Sequence, residues 1–309
     1  MEHVPVLLDE ILRALSDREN SLERVLDCTL GLGGYTVAIL ETFPGAQVWG
    51  IDQDSEALAI AAERASGYGD RFHPVHGNFS AMDALVGDEA PFDAILFDLG
   101  VSNLQLTSGE RGFSFQEDGP LDMRMDASSP LTAADLVNEG SEKDLADIFW
   151  KYGEERFSRP IARGIVRFRQ RSGRIDRTST LVEIIRSTLP APVQRKMGGH
   201  PARRVFQALR IAVNDELEAL TLGLRGAKAL CRDGGSILAV SYHSLEDRIV
   251  KHLFREWQQA ELGTVRTRRP ITPSDEETVR NHKARSAKLR IFSVGGSREG
   301  GNERRWRVR

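Results

Sequence analysis

Through the first hundred residues, short apolar runs alternate with stretches whose apolar positions recur at helical spacing. Residues 24–27 (RVLD) predict a short buried strand, and 37–42 a helix behind a glycine-bearing turn. A second strand is expected over 47–51, ending on Asp52, and 55–64 reads as a helix with Leu58, Ala61 and Ala62 on one face. Residues 72–76 predict a third strand before Gly77-Asn78-Phe79-Ser80, and 92–97 (FDAILF) a fourth that ends at Asp98-Leu99-Gly100. Strand and helix in alternation predict an α/β fold with a doubly wound, Rossmann-like sheet.

From about Leu104 to Val213 the alternation stops. Residues 114–125 read as a polar loop, and helical patterns follow at 141–150, 156–170 and 178–189, separated by Gly and Pro. This predicts a helical subdomain inserted into the sheet domain, with parts 1–103, 104–213 and 214–309. One long amphipathic helix is expected over 203–231, with Phe206, Leu209, Val213, Leu217, Leu220 and Leu224 as its apolar stripe. Residues 234–242 resume the sheet as a buried strand, and His243-Ser244-Leu245-Glu246-Asp247 caps a helix reaching Trp257. Last strands are expected at 288–294 and 306–308, and no internal repeat is visible.

The turn Cys28-Thr29-Leu30-Gly31-Leu32-Gly33-Gly34-Tyr35-Thr36 is the clearest site signal. Glycines let the backbone approach a ligand closely, and a helix start offers free N–H groups. An acid at the end of the next strand, Asp52, can accept both hydrogen bonds of a ribose diol. Ligands of open parallel sheets bind beyond the carboxyl ends of the strands, where Tyr35, Asp52, Phe79 and Asp98 all stand. A dinucleotide fingerprint wants a further glycine where this chain has Thr36. Asp27 would repel a pyrophosphate but suits a cation, and S-adenosylmethionine carries a sulfonium and an ammonium and no phosphate. The pattern therefore favours this methyl donor over NAD. An NAD(P)-dependent oxidoreductase and a non-catalytic RNA-binding protein with a vestigial pocket stay open as alternatives.

Charge points to the partner. The net charge of -3 hides a balance of -21 over residues 1–155 and +18 over 156–309. Residues 156–210 alone hold 14 basic and 2 acidic side chains. Such a half favours a polyanion, nucleic acid above all, with Arg163, Arg167, Arg169 and Arg171 as expected phosphate ligands. Cys28 and Cys231 are too few for a disulfide framework or a zinc cluster, and no metal site is expected. No apolar run is long enough for a membrane span, and the first residues carry acids where a signal peptide is basic. A cytoplasmic protein is expected.

Several ordered segments resemble the bacterial RsmH (MraW) family of 16S ribosomal RNA cytosine-N4 methyltransferases. They include HVPVLLDE at 3–10, DCTLGLGGYT at 27–36, FDLGVSNLQL at 97–106 and RGFSFQEDGPLDMRMD at 111–126. GEERFSRPIARGIV at 153–166, HPARRVFQALRIAVNDELEAL at 200–220, SYHSLEDRIVK at 241–251 and ITPSDEE at 271–277 continue the match. The resemblance implies an S-adenosylmethionine-dependent Rossmann-like domain with a helical insertion. It also implies methyl transfer to the N4 amine of a decoding-site cytidine in small-subunit RNA. By motif position it implies cofactor contacts at Gly33, Gly34, Tyr35, Asp52, Phe79, Asp98 and Gln105. Tyr35 stands where the family usually has His, and Asn103 where Ser is common.

The cytosine amine is a poor nucleophile, so an acceptor for its N–H assists as charge develops. The segment Asp98-Leu99-Gly100-Val101-Ser102-Asn103 is the expected acceptor, with Asp98 and Asn103 as its side-chain candidates and His243 as a second possibility.

Overall fold

A computed structural model describes residues 4–17, 21–102, 104–105, 109–196 and 198–295. Asn103 and the strand expected at 306–308 lie outside the described residues. The chain separates into two compact units, one of residues 1–100 and 217–309, the other of 101–216.

Among the described residues, the first unit is built on a seven-stranded sheet. Its strands are β1 (Arg24–Asp27), β2 (Gln47–Asp52), β3 (Phe72–His76), β4 (Phe92–Asp98), β5 (Cys231–Ser241), β6 (Gly263–Val265) and β7 (Lys288–Val294). Their order is β3-β2-β1-β4-β5-β7-β6. The first five strands run parallel, and β7 lies antiparallel to both β5 and β6. Strand order reverses direction between β1 and β4, which opens a crevice at their carboxyl ends.

Strands of such a sheet are buried on both faces, which is why they read as near-continuous apolar runs. Val25, Val48, Leu96 and Val240 face one layer, where α1 (Leu8–Ser16), α2 (Gly34–Thr42) and α3 (Ser55–Arg64) contribute Ile11, Ile39 and Ala61. Leu26, Trp49, Phe97 and Ala239 face the other. There α4 (Met82–Val86) packs with Met82, and further helices from the end of the chain cover the rest.

The second unit is helical: α5 (Ala133–Glu139), α6 (Glu142–Gly153), α7 (Ser158–Ser172), α8 (Thr178–Thr188), α9 (Ala191–Lys196) and α10 (Arg203–Asn214). It has its own core, including Phe149, Ile161, Ile165, Leu181, Ile185 and Leu209. The stretch expected to be a polar loop is largely irregular, but Leu121, Met123 and Met125 turn inward and complete that core.

Two expectations are corrected. The long helix expected over 203–231 is two helices, α10 and α11 (Glu216–Leu230), parted at Asp215 with φ 47°. Asp is among the few residues that enter the left-handed region readily. Asn214 holds the break: its amide donates to the Met123 carbonyl at 2.8 Å and accepts from the Met125 N–H at 2.7 Å. The strand expected from 234 starts at Cys231, because the pairing of β4 with β5 jumps register between Phe92 and Ala94. The chain then continues into α12 (Ser244–Gln259) and α13 (Asp275–Arg280).

Arg169 is not free to bind phosphate. Its guanidinium donates to the carbonyls of Val137 at 2.6 Å and Gly140 at 2.8 Å, closing the end of α5. A cation on those last carbonyls also suits the helix dipole. Arg169→Gln should therefore lower unfolding stability by about 1.5–3 kcal/mol, the range for hydrogen bonds involving a charged group. A urea midpoint equal to wild type would contradict this role.

Candidate active site

β1 ends on Asp27, which is wholly buried. Its carboxylate accepts from the Thr36 hydroxyl at 2.9 Å and from the Thr29 N–H at 3.2 Å, so it ties the two sides of the glycine turn together. Burial, aided by the nearby Asp52 charge and opposed by those two bonds, pushes the Asp27 carboxyl up to about 6. Between the two bonds the chain passes Gly33, the residue capping α2, at φ 75°, a conformation that side-chain-bearing residues adopt at a cost. Gly34 opens α2 against Pro5, whose ring a Cβ would approach to 2.7 Å.

Tyr35 follows, and its side chain is buried, with the hydroxyl donating to the Val6 carbonyl; burial and the Asp98 and Asp27 charges hold its phenol well above its ordinary range.

Asp52 ends β2. One carboxylate oxygen accepts the Gly31 N–H at 2.7 Å and the other the Asp54 N–H at 2.9 Å. The Gln53 N–H is a further donor to the group, and a carboxylate with about four acceptor sites still has room for a hydroxyl. Burial raises this carboxyl as well, against the pull of those N–H groups. Asp54, two residues on, caps α3 by accepting the Glu56 N–H at 3.2 Å.

Beyond β3, Asn78 fixes the next turn by accepting the Ser80 N–H at 2.9 Å and donating to Gln53 at 2.8 Å. Phe79 is thereby set edge-on against Phe97, ring centroids 5.5 Å apart. Gly223 of α11 makes room for it, since a Cβ there would stand 2.5 Å from the ring.

Asp98 ends β4. Its N–H donates to the Thr29 hydroxyl at 2.6 Å, and its carboxylate accepts the Tyr242 hydroxyl at 2.7 Å. Burial and the Asp98 charge hold the Tyr242 phenol well above its ordinary range, so it stays a donor. Thr29 and Tyr242 were not singled out from the sequence. Both sit directly at strand ends, and the rule that picked Asp52 and Asp98 would have found Tyr242 after β5.

His243 begins α12 as its cap. Its Nδ1 accepts the Glu246 N–H at 3.3 Å, while Glu246 accepts the His243 N–H at 3.2 Å. Nδ1 is thus an acceptor, which puts the proton of the neutral ring on Nε2. Nε2 lies 3.1 Å from a Glu246 carboxylate oxygen but is too poorly directed to hydrogen-bond to it. In the second unit, Gln105 is buried and forms a small closed turn: its side chain accepts the Ser102 N–H at 3.1 Å and its N–H meets the Ser102 hydroxyl at 3.2 Å.

The strand ends of the first unit thus gather Asp27, Asp52, Phe79 and Asp98. Among the described residues no Lys or Arg pairs with Asp27 or Asp52. A buried and a half-buried carboxylate without a cation, the second of them a diol acceptor, and an aromatic edge fit S-adenosylmethionine, which brings positive charge, a ribose and an adenine. They do not fit a pyrophosphate.

The Asp27 value gives this fit a sign. Below about pH 6 the side chain is neutral and offers a cation nothing; above it the carboxylate attracts one. Cofactor affinity should rise with pH through about 6, by at most tenfold per unit below that point. In the empty protein the raised value works the other way: the folded state keeps a proton that the unfolded chain releases, so stability falls from about pH 4 to 6. Calorimetry in buffers of different ionisation heat should show proton release on binding near pH 6. Affinity that is flat from pH 5 to 7.5 would exclude Asp27 from this part.

No helix among the described residues is long and apolar enough to cross a membrane. Residues 1–294 match the MraW methylase family. The ribosomal RNA small subunit methyltransferase H of Symbiobacterium thermophilum is 46% identical over 307 residues, covering 93% of this chain and 95% of its own. That of a Nocardioides species is 50% identical over 258 residues, covering 82% and 79%. An rRNA methylase structure from Streptococcus thermophilus aligns with a TM-score of 0.45 at 11% identity, covering 96% of this chain and all of that one. With nearly its whole length matched, the chain belongs to the MraW methylase family, and it is an S-adenosylmethionine-dependent methyltransferase.

Proposed function

We propose that the protein methylates the N4 amine of a decoding-site cytidine in the 16S RNA of the small ribosomal subunit, acting in the cytoplasm on that RNA or on the assembling subunit. The observation that carries the reading is the acid at the end of β4: Asp98 is held by Tyr242 and Thr29 where the chain leaves the crevice. The relatives' names supply the small-subunit RNA.

Bound S-adenosylmethionine supplies a methyl group on a sulfonium, which is already a good leaving group. What remains for the chain is positioning. Asp52 holds the ribose hydroxyls, and the turn from Gly31 to Gly34 admits the ligand closely. Phe79 bounds the adenine side, and Asp27 supplies negative charge beneath the turn. Gln105 is assigned to the cofactor by its place in the motif. Asp98 and the segment through Asn103 accept a hydrogen bond from the cytosine amine, so that the nitrogen pyramidalises as it attacks. His243 is the weaker candidate, because its buried Nε2 carries the proton. A paired cytosine cannot present N4 to a buried donor, so the base must be unstacked or single-stranded.

The test uses purified protein, methyl-labelled cofactor, and 16S RNA or small subunits from cells lacking this enzyme. Label should enter the small-subunit RNA and require the cofactor. No incorporation into either substrate, with the protein folded and cofactor bound, would contradict the proposal.

A further inference from the structure

Two groups stand out among the basic residues of the helical unit, beside others, such as Arg195, Lys196 and Arg203, that are exposed off α7. One group is consumed by the fold: Arg169 closes α5, Arg174 pairs with Asp135 and Asp176, Arg177 with Asp118, and Arg210 with Glu216. The other group stands apart. Arg156, Arg159, Arg167 and Arg171 are exposed and have no hydrogen-bond or ion-pair partner among the described residues. Arg163 has only an exposed pair with Glu142, a kind of contact that releases its arginine readily.

These residues are not scattered. Arg159, Arg163, Arg167 and Arg171 recur every four positions along α7, which places them on one side of the helix, about one turn and roughly 6 Å apart. The opposite side carries Ile161, Ala162 and Ile165 into the core, and α7 contains no acid at all. Such a row runs against two local rules. Like charges four residues apart repel on a helix, and cations at a helix start oppose its dipole, yet Arg156 and Arg159 sit at the start of α7 and its first turn has no acid. Among the described residues only the exposed Glu142 pair offsets the row, which leaves most of its charge available to an anion from outside. Its form, a line of guanidinium groups with a regular rise, matches a line of phosphates better than a point anion.

We propose that the arginine row of α7 tracks the phosphate backbone of single-stranded RNA. The proposal rests on the RNA reading above and adds the surface that holds the strand.

The test compares three full-length proteins: wild type, Arg159→Gln/Arg167→Gln/Arg171→Gln, and a charge-matched control, Arg195→Gln/Lys196→Gln/Arg203→Gln, on exposed basic residues off α7. Each is titrated by fluorescence anisotropy with a single-stranded 16S decoding-region oligonucleotide at several salt concentrations. Cofactor affinity, by calorimetry, reports folding. Loss of three phosphate contacts should flatten the slope of log affinity against log salt by about 2, the value for single strands. Affinity at low salt should drop at least tenfold, while cofactor affinity is unchanged. The control should lose clearly less slope. An unchanged slope in the α7 variant would overturn the proposal, and so would equal loss in the control, which would mean net charge alone. Preferential weakening toward an acidic peptide rather than RNA would overturn it as well. Wild type that methylates RNA normally beside an α7 variant with wild-type slope removes the row and leaves the methyltransferase reading. A flattened slope beside wild type that transfers no methyl group to RNA does the reverse.

Discussion

Asp52→Ala should bind S-adenosylmethionine about 1.5–3 kcal/mol more weakly, the range for hydrogen bonds to a charged group. The argument starts from position: β2 carries the carboxylate to its end, beside the glycine turn. The N–H groups of Gly31 at 2.7 Å and Asp54 at 2.9 Å fix both oxygens, so the carboxylate is aimed before any ligand arrives. Alanine removes the diol acceptor and also leaves the Gly31 N–H without its partner, which loosens the turn. Asp52→Asn separates these parts, since it keeps one oxygen but sets an NH2 group against a backbone donor. Its affinity should fall between wild type and alanine. Calorimetry on folded variants is the check, and equal affinity for alanine and wild type would remove Asp52 from the cofactor site.

The second large effect is expected at Asp98. With saturating cofactor, Asp98→Asn should lower the single-turnover rate on RNA by about 10²-fold or more, within the range for a positioned proton acceptor. RNA affinity should barely change, because an acceptor for a nitrogen developing positive charge acts mainly in the transition state. Tyr242 and Thr29 hold the residue from two sides, so the asparagine variant keeps its place on β4 while losing charge. Asn103→Ala tests the other side chain of the segment. If both variants keep near-wild-type rates, no side chain there assists the amine. A main-chain carbonyl then becomes the better assignment, with His243→Ala as the following variant.

The parts of this molecule that could be read from its sequence are those where one local rule decides. β1, β2 and β4 are short, largely apolar runs closed by Asp, and strands buried on both faces leave that signature, whereas β3 is an edge strand that buries only Phe72 fully. The break at Asp215 left no such mark. The apolar stripe from Phe206 through Val213 continues in Leu217 and Leu220 on the far side, so periodicity alone joins two helices into one. Asn214-Asp215 was the only local signal. β6, three residues long, is held by pairing with β7 and has no pattern of its own. The arginines show the limit most plainly. Arg167 and Arg169 are two residues apart and equal by composition, but a rotation of about 200° around α7 gives one to solvent and the other to the carbonyls ending α5. At the site, Asp52 and Asp98 were visible as strand-end acids. That the Tyr35 hydroxyl meets Val6 while Tyr242 reaches Asp98 depends on partners far away in the chain.

The central claim is that a methyl group from S-adenosylmethionine ends on the exocyclic nitrogen of a cytidine in small-subunit RNA. The most direct measurement is mass spectrometry of nucleosides released from unmodified 16S RNA after reaction with cofactor bearing a deuterated methyl group. Fragment mapping then locates the labelled residue in the RNA. The account predicts deuterated N4-methylcytidine in the decoding region, formed far more slowly by Asp98→Asn than by wild type. Label on ring carbon C5 of cytosine, on a ribose hydroxyl or on another base would contradict it.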